Sequence, residues 1–211
     1  MPGHYALIKP AVEAGKNVFC EWPLARNLTE AEELTALAER HNVRTMVGLQ
    51  ARHNSAIRKA KAMIDAGELG QITASTMNGT GLLFGPAMLT ESISYACDIE
   101  NGANLLTIPA MHATDAMCYV LGELEYVQAT LDNYQRKVQI LSDSDGKPTR
   151  EMEKTSHDSV AFMGRMKRGG IATVVYQPGM SVTGRHFHWE ITGTKGSLVL
   201  EGSVNGVCGT I

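Results

Sequence analysis

The sequence predicts two unlike parts: a parallel α/β segment, then an α+β domain with a largely antiparallel sheet. Three observations carry that prediction. Over residues 4–50, helix and strand patterns alternate, and the strands read as near-continuous apolar runs, the pattern of parallel strands. From Ile72 onward strand patterns dominate. One helical stretch, roughly 103–121, interrupts them, which is the order of elements expected for α+β architecture.

Residues 4–15, HYALIKPAVEAG, predict a helix with Ala6, Leu7, Val12 and Ala14 available to a core. Gly15 stops it, and Pro10 weakens its centre. Val18–Cys20 make a short strand. Thr29 is the expected cap of the next helix, whose Glu30, Glu32 and Glu33 favour its positive end. Leu34, Leu37 and Ala38 form its apolar stripe. RTMVGLQ is the second strand. Two strands are too few to stand alone, so residues 1–52 read as the later part of a doubly wound sheet.

The texture changes at residue 53. SAIRKAKAMIDAGELG is a helix ended by Gly67, with a turn at Gly70. Strands are expected at 72–80, 124–135, 158–166, 171–177, 185–193 and 197–201, with tight turns at 168–170 and 193–197. Residues 141–157, LSDSDGKPTREMEKTSH, read as a polar loop.

Composition narrows the function classes. The chain is 44% hydrophobic and 19% charged, values of a folded protein. A net charge of −3 without a basic cluster provides no general attraction to nucleic acid or an anionic membrane. The four cysteines, Cys20, Cys97, Cys118 and Cys208, have neither metal-knuckle nor redox spacing. They suit a reducing compartment, with Cys20 and Cys118 as small buried hydrophobes. MPGHYALIKP lacks the form of a secretory leader, and no window approaches about 18 consecutive apolar residues. The expected location is cytoplasmic or nuclear.

Ligands of doubly wound sheets sit beyond the carboxyl ends of the strands. Glu21, Trp22 and Pro23 follow the first strand, and Gln50 and Arg52 follow the second, so both groups are expected to border one crevice. Trp22 has an equal alternative: packing a loop against the second domain. His112 and Asp115 share one helical face at i, i+3, so the carboxylate is placed to orient the imidazole. A lone helical histidine is, however, more often a satisfied structural residue. His186 and His188 alternate onto one strand face, but no third ligand accompanies them and no metal site is assigned. GTGLLFG, 79–85, has Phe84 where a phosphate-cradling turn needs its third glycine.

Taken together, EAGKNVFCEWPLA, AEELTALAERHNVRTMVGLQAR, IDAGELGQI, NGANLLTIPAMHATDAMCYVLGE and HWEITGTKGSLVLEG resemble the Gfo/Idh/MocA oxidoreductase family, in order and over nearly the whole chain. EWPLA and VGLQAR are most similar to its fungal branch, which contains the yeast galactose-pathway repressor. The resemblance implies a Rossmann domain for NAD or NADP, of which residues 1–52 are the second half. It implies that 53–211 form the substrate and oligomerisation domain of a homo-oligomer. It further implies hydride transfer to or from a sugar or polyol, with His112 and Asp115 as catalytic residues. Glu21, Trp22, Pro23, Gln50 and Arg52 would then line the cofactor side.

Three departures from the family pattern stand out. Trp22 occupies the place of the family's proton-handling lysine, and indole supplies only an uncharged N–H donor. Ile108 replaces an aspartate found in inositol dehydrogenase-like members. The glycine-rich turn and acidic ribose anchor would lie upstream of His4, so the resemblance implies an N-terminally truncated chain with an incomplete dinucleotide site. Two functions therefore stay open: an oxidoreductase with His112 as general base, or a non-catalytic dinucleotide sensor that binds a regulatory protein.

Overall fold

The computed structural model describes residues 3–81, 88–179 and 181–202. It contains a short parallel β-α-β segment followed by a mixed, mostly antiparallel sheet domain, as the sequence predicts. Cys208 and most of the GTGLLFG stretch lie outside the described residues.

In the first part, α1 (His4–Glu13), β1 (Val18–Glu21), α2 (Leu28–Arg40) and β2 (Thr45–Gly48) follow in order. β1 and β2 pair in parallel, with Phe19 opposite Met46. α1 runs through Pro10 and buries Ile8 and Val12, one helical turn apart, in a cluster with Cys20, Leu34 and Leu37. Leu7 points away, 74% exposed, and Ala6 and Ala14 are exposed too. Of the four core positions expected within residues 4–15, only Val12 therefore holds, because the Ile8–Val12 spacing sets the buried face.

α2 is capped by Asn27, not Thr29. The Asn27 side chain accepts from the Glu30 N–H, while Glu30 accepts from the backbone N–H and guanidinium of Arg26. This is a capping box that reaches one residue further back than usual, and Thr29 already lies inside the first turn. The expected burial of the parallel strands also holds on one face only. α1 and α2 cover the Cys20 side, whereas Phe19 and Met46 are 68% and 57% exposed.

After α3 (Ser55–Asp65) come β3 (Ile72–Gly81), β4 (Met88–Thr90), α4 (Met111–Leu121), β5 (Leu124–Asp132), β6 (Lys137–Leu141) and β7 (Pro148–Glu153). β8 (Ser159–Met166), β9 (Ile171–Pro178), β10 (Phe187–Gly193) and β11 (Ser197–Gly202) complete the described chain. The main sheet runs β11-β10-β3-β9-β8-β5, and within it only β3 and β9 are parallel neighbours. Alternation sends Met77, Phe162, Val174 and Trp189 to one face, where they join Ile57 of α3 and Met117 and Val120 of α4 in the principal core. The buried Trp189 indole donates to Ser75 Oγ at 2.9 Å.

Residues 141–157 are not simply a loop. β4, β6 and β7 form a separate three-stranded sheet over a small core of Leu89, Cys97, Val138 and Ile140. β7, PTREME, escapes sequence reading because only Met152 packs inward, so the strand has no apolar alternation. Behind it, Lys154 and Asp158 are both buried and form an ion pair at 2.8 Å. Asp158 also accepts from the backbone N–H groups of Tyr134 and Gln135, joining the link after β7 to the turn after β5.

Candidate functional site

The candidate site lies where the end of β1 meets the start of α4. β1 ends at Glu21, which is exposed, and the Trp22–Pro23 peptide that follows is cis. His4 Nδ1 lies 2.8 Å from the Pro23 carbonyl oxygen. A carbonyl only accepts, so Nδ1 carries the proton and α1 holds this corner in place. The Trp22 indole then reaches across to the second part. Its Nε1–H donates to Thr107 O at 2.6 Å, and its ring stands edge-on to His112, 6.5 Å between centroids and 68° between planes.

Thr107 belongs to a π-helical turn, Leu106–Ala110, that leads into α4. Its cause is local. The Asn104 side chain accepts from Leu106 and Thr107, and Ile108 bonds back to Asn104. Pro109 has no N–H to offer, so the next donor, Ala110, bonds five residues back to Leu105. The two parts also touch backbone to backbone nearby. Gly102 has φ +64°, and a Cβ there would lie 2.3 Å from the Arg26 carbonyl oxygen.

His112 is 5% exposed, and its Nδ1 is buried without a hydrogen-bond partner among the described residues. Burial pushes the imidazole below its ordinary pKa, and the Asp115 charge opposes that shift. Asp115 does not hydrogen-bond to that nitrogen, contrary to the expectation from their spacing. Its carboxylate faces Arg52, which donates from Nε at 2.8 Å and again from Nη2. The physical reason is geometric: a guanidinium fork offers two parallel N–H donors to the carboxylate, whereas imidazole offers one. The Arg52 guanidinium also lies 5.8 Å from the centre of the Tyr119 ring, with Lys61 at 5.4 Å.

Gln50 is exposed at the start of the short turn Gln50–His53 that carries Arg52, and Ala51 of that turn is buried in the principal core with α4. The structure thus brings Trp22, His112, Asp115 and Arg52 together, with Glu21 and Pro23 flanking Trp22. His186 and His188 serve elsewhere. His186 is buried beside Thr80 Oγ1 at 3.2 Å, and His188 contacts Glu201 at 3.0 Å. No cluster of three or more metal-ligating side chains occurs among the described residues. Burial pushes the Cys118 thiol up to about 11 and raises Cys20 and Cys97 too, as suits unreactive core cysteines. No helix among the described residues is long and apolar enough to cross a membrane.

Sequence reasoning missed four contributors: His4, Asn104, Thr107 and the Arg52–Asp115 pairing. Asn104 before a helical run was a readable cap signal, and Pro109 marked the irregular turn. The pairing joins residues 63 apart, and nothing local announces it.

Comparison with known proteins places this geometry in a family. Residues 2–49 match the oxidoreductase family with an NAD-binding Rossmann fold, and residues 55–202 match the Gal80p C-terminal domain. The chain belongs to the Gfo/Idh/MocA oxidoreductase family. Within that class its second part is of the Gal80p type. It is 36% identical over 206 residues to dehydrogenase aclE of Aspergillus oryzae, covering 96% of this chain and 55% of that protein. It is 31% identical over 214 residues to the galactose/lactose metabolism regulatory protein GAL80 of Kluyveromyces lactis, covering 96% and 47%. A levoglucosan dehydrogenase solved in complex with NADH and L-sorbose superposes with a TM-score of 0.80 at 25% identity, covering 96% and 53%. The chain spans about half the length of the curated relatives it matches.

Proposed function

We propose that this chain forms the proton-handling part of an NAD(P)-linked oxidoreductase of the sugar or polyol type. His112 carries the reading. It is an imidazole held neutral by burial, with Nδ1 unpartnered, at the junction of the two parts. A neutral histidine kept from water is a competent proton acceptor at pH 7. Glu21 closes β1, and Trp22, Pro23, Gln50 and Arg52 lie beyond the carboxyl ends of β1 and β2, where doubly wound folds bind nucleotides. The indole offers a flat aromatic wall, which fits the nicotinamide end of a dinucleotide. The described residues include no glycine-rich turn opening a helix, so the fit does not extend to the pyrophosphate. NAD or NADP, when bound, supplies hydride transfer; the chain's own tasks are orienting a substrate hydroxyl and accepting its proton at His112.

The division near residue 52 and a homo-oligomeric assembly through the open face of the six-stranded sheet belong to the same proposal. Its test is reduction of NAD and NADP, followed by absorbance, across a panel of sugars and polyols. Turnover that disappears in His112→Ala supports the reading; turnover unchanged in that variant refutes it.

One observation favours a second reading. The group in the lysine's place is an uncharged indole whose only donor is already bonded to Thr107 O. It assists no proton removal, which suits a dinucleotide-sensing regulator that binds another protein in the nucleus or cytoplasm. The GAL80 relative is named as a regulatory protein. Capture of the same defined partner in the presence but not the absence of NAD, with no turnover on the panel, favours this reading over the first.

A further inference from the structure

We propose that Arg52 is a positioning residue: by occupying both oxygens of Asp115, it holds that carboxylate off His112 and ties the first part of the chain to the helix bearing the histidine. This role rests on the proposed site but is independent of which reaction, if any, that site performs.

Four observations converge on it. His112 and Asp115 lie three residues apart on α4, a spacing that places two side chains on one face. The carboxylate nevertheless accepts its hydrogen bonds from Arg52, through Nε at 2.8 Å and through Nη2, while His112 Nδ1 stays buried and unpartnered. Arg52 itself is fixed in place. It sits on the turn after β2 with its guanidinium over the Tyr119 ring, one helical turn beyond Asp115, and the neighbouring Ala51 packs into the core. Finally, the Asp115 charge raises the proton affinity of His112, and burial acts on the imidazole in the opposite sense with the larger effect. Trp22, whose ring packs against His112, is uncharged.

The arrangement is therefore a competition for one carboxylate. While Arg52 holds it, the imidazole remains neutral and its Nδ1 is left for a ligand. Without Arg52, the carboxylate loses its two-pronged partner and is free to turn to His112, three residues away on its own face. A lysine at position 52 would supply the charge without the two-pronged geometry and would hold Asp115 less well.

The test is NMR titration of the histidine ring protons in the full chain, with His112 assigned by loss of its signal in His112→Gln. Arg52→Met should raise the His112 pKa by about one unit, the usual size of a shift from an adjacent opposite charge. Asp115→Asn should lower it, and Arg52→Lys should raise it by less than Arg52→Met. A simple loss of packing predicts no such opposition of sign. Unchanged titration in Arg52→Met, or shifts of the same sign in Arg52→Met and Asp115→Asn, would overturn the proposal. Should Arg52→Met not fold, as judged by circular dichroism, the opposed pair becomes Arg52→Lys and Asp115→Asn: opposite shifts support the proposal, and an unmoved Arg52→Lys or shifts of one sign overturn it. None of these readouts needs turnover, so a failure of the oxidoreductase reading is separately visible.

Discussion

Replacing Trp22 by phenylalanine should loosen the contact between the two parts at a single atom. Phenylalanine keeps a ring beside His112 but has no N–H for Thr107 O. A net hydrogen bond contributes about 1 kcal/mol, and a carbonyl left without a donor adds up to about 1 kcal/mol where water enters poorly. The edge-on aromatic contact, worth about 0.5–1.5 kcal/mol, survives in phenylalanine and is lost in alanine. We expect Trp22→Phe to cost about 1–2 kcal/mol of unfolding free energy and Trp22→Ala about 3 kcal/mol. With a urea slope of about 2 kcal/mol per molar, the midpoints fall by roughly 0.5–1 M and 1.5 M.

Far-UV circular dichroism and Trp189 emission provide two probes, and the Trp189 indole is held inside the sheet domain by Ser75. A second signature is expected at His112. Because burial is the main cause of its lowered pKa, Trp22→Ala should let it rise towards the ordinary value. Midpoints that match the parent chain in both variants, with an unmoved His112 titration, would refute an indole seated on this interface.

Three further outcomes follow from named groups. A histidine held neutral by burial binds its proton more weakly folded than unfolded, so stability is complete above roughly pH 6.5 and declines as pH falls below it. His112→Gln should flatten that slope, read from urea midpoints between about pH 5 and 7.5, a window around the ordinary histidine value. Burial pushes Asp158 up, but Lys154 and the Gln135 and Tyr134 N–H groups outweigh it and hold the carboxyl below its usual range. Its contribution is thus present above roughly pH 4 and lost as acid passes through the lower folded value. Asp158→Asn should cost about 3–5 kcal/mol at neutral pH, because the buried Lys154 is left without its anionic partner. Gly102→Ala combines a positive φ with a 2.3 Å backbone clash and should cost at least about 2 kcal/mol, seen as a fall in melting temperature.

Much of this architecture was readable because it rests on local chemistry. The helix over Leu34, Leu37 and Ala38 follows from spacing, and the strands from 72 onward follow from alternation. Where reading failed, the deciding contact was elsewhere. Asn27 displaced Thr29 because its side chain reaches the Glu30 N–H, a matter of one residue's geometry at a helix entrance. Ile8 displaced Leu7 because the face of α1 is chosen by α2 and β1. β7 went unseen because it buries almost nothing and is defined by its pairing with β6. At the site, Trp22 and His112 were individually visible as unusual residues in telling places. That they share one cleft followed from the family resemblance; the bond that fixes Trp22 there did not, because Thr107 accepts it through a carbonyl, a group every residue carries.

The same contacts that build the site also support the first part of the chain. A two-stranded parallel pair covered on one face has little stability of its own, and Phe19 and Met46 remain open to solvent on the other. Its order then depends on what ties it to the larger core: Trp22 to Thr107, Arg52 to Asp115, and the close pass of Arg26 over Gly102. Each of those ties borders His112 or lies within a few residues of the turn that leads to it. Changes at the site will therefore alter folding and ligand handling together, and a variant that merely loses activity says little about mechanism. The informative variants are those whose two effects separate, such as Asp115→Asn against Arg52→Met. Both break one clamp, yet they leave opposite charges behind, so only the electrostatics at His112 tells them apart.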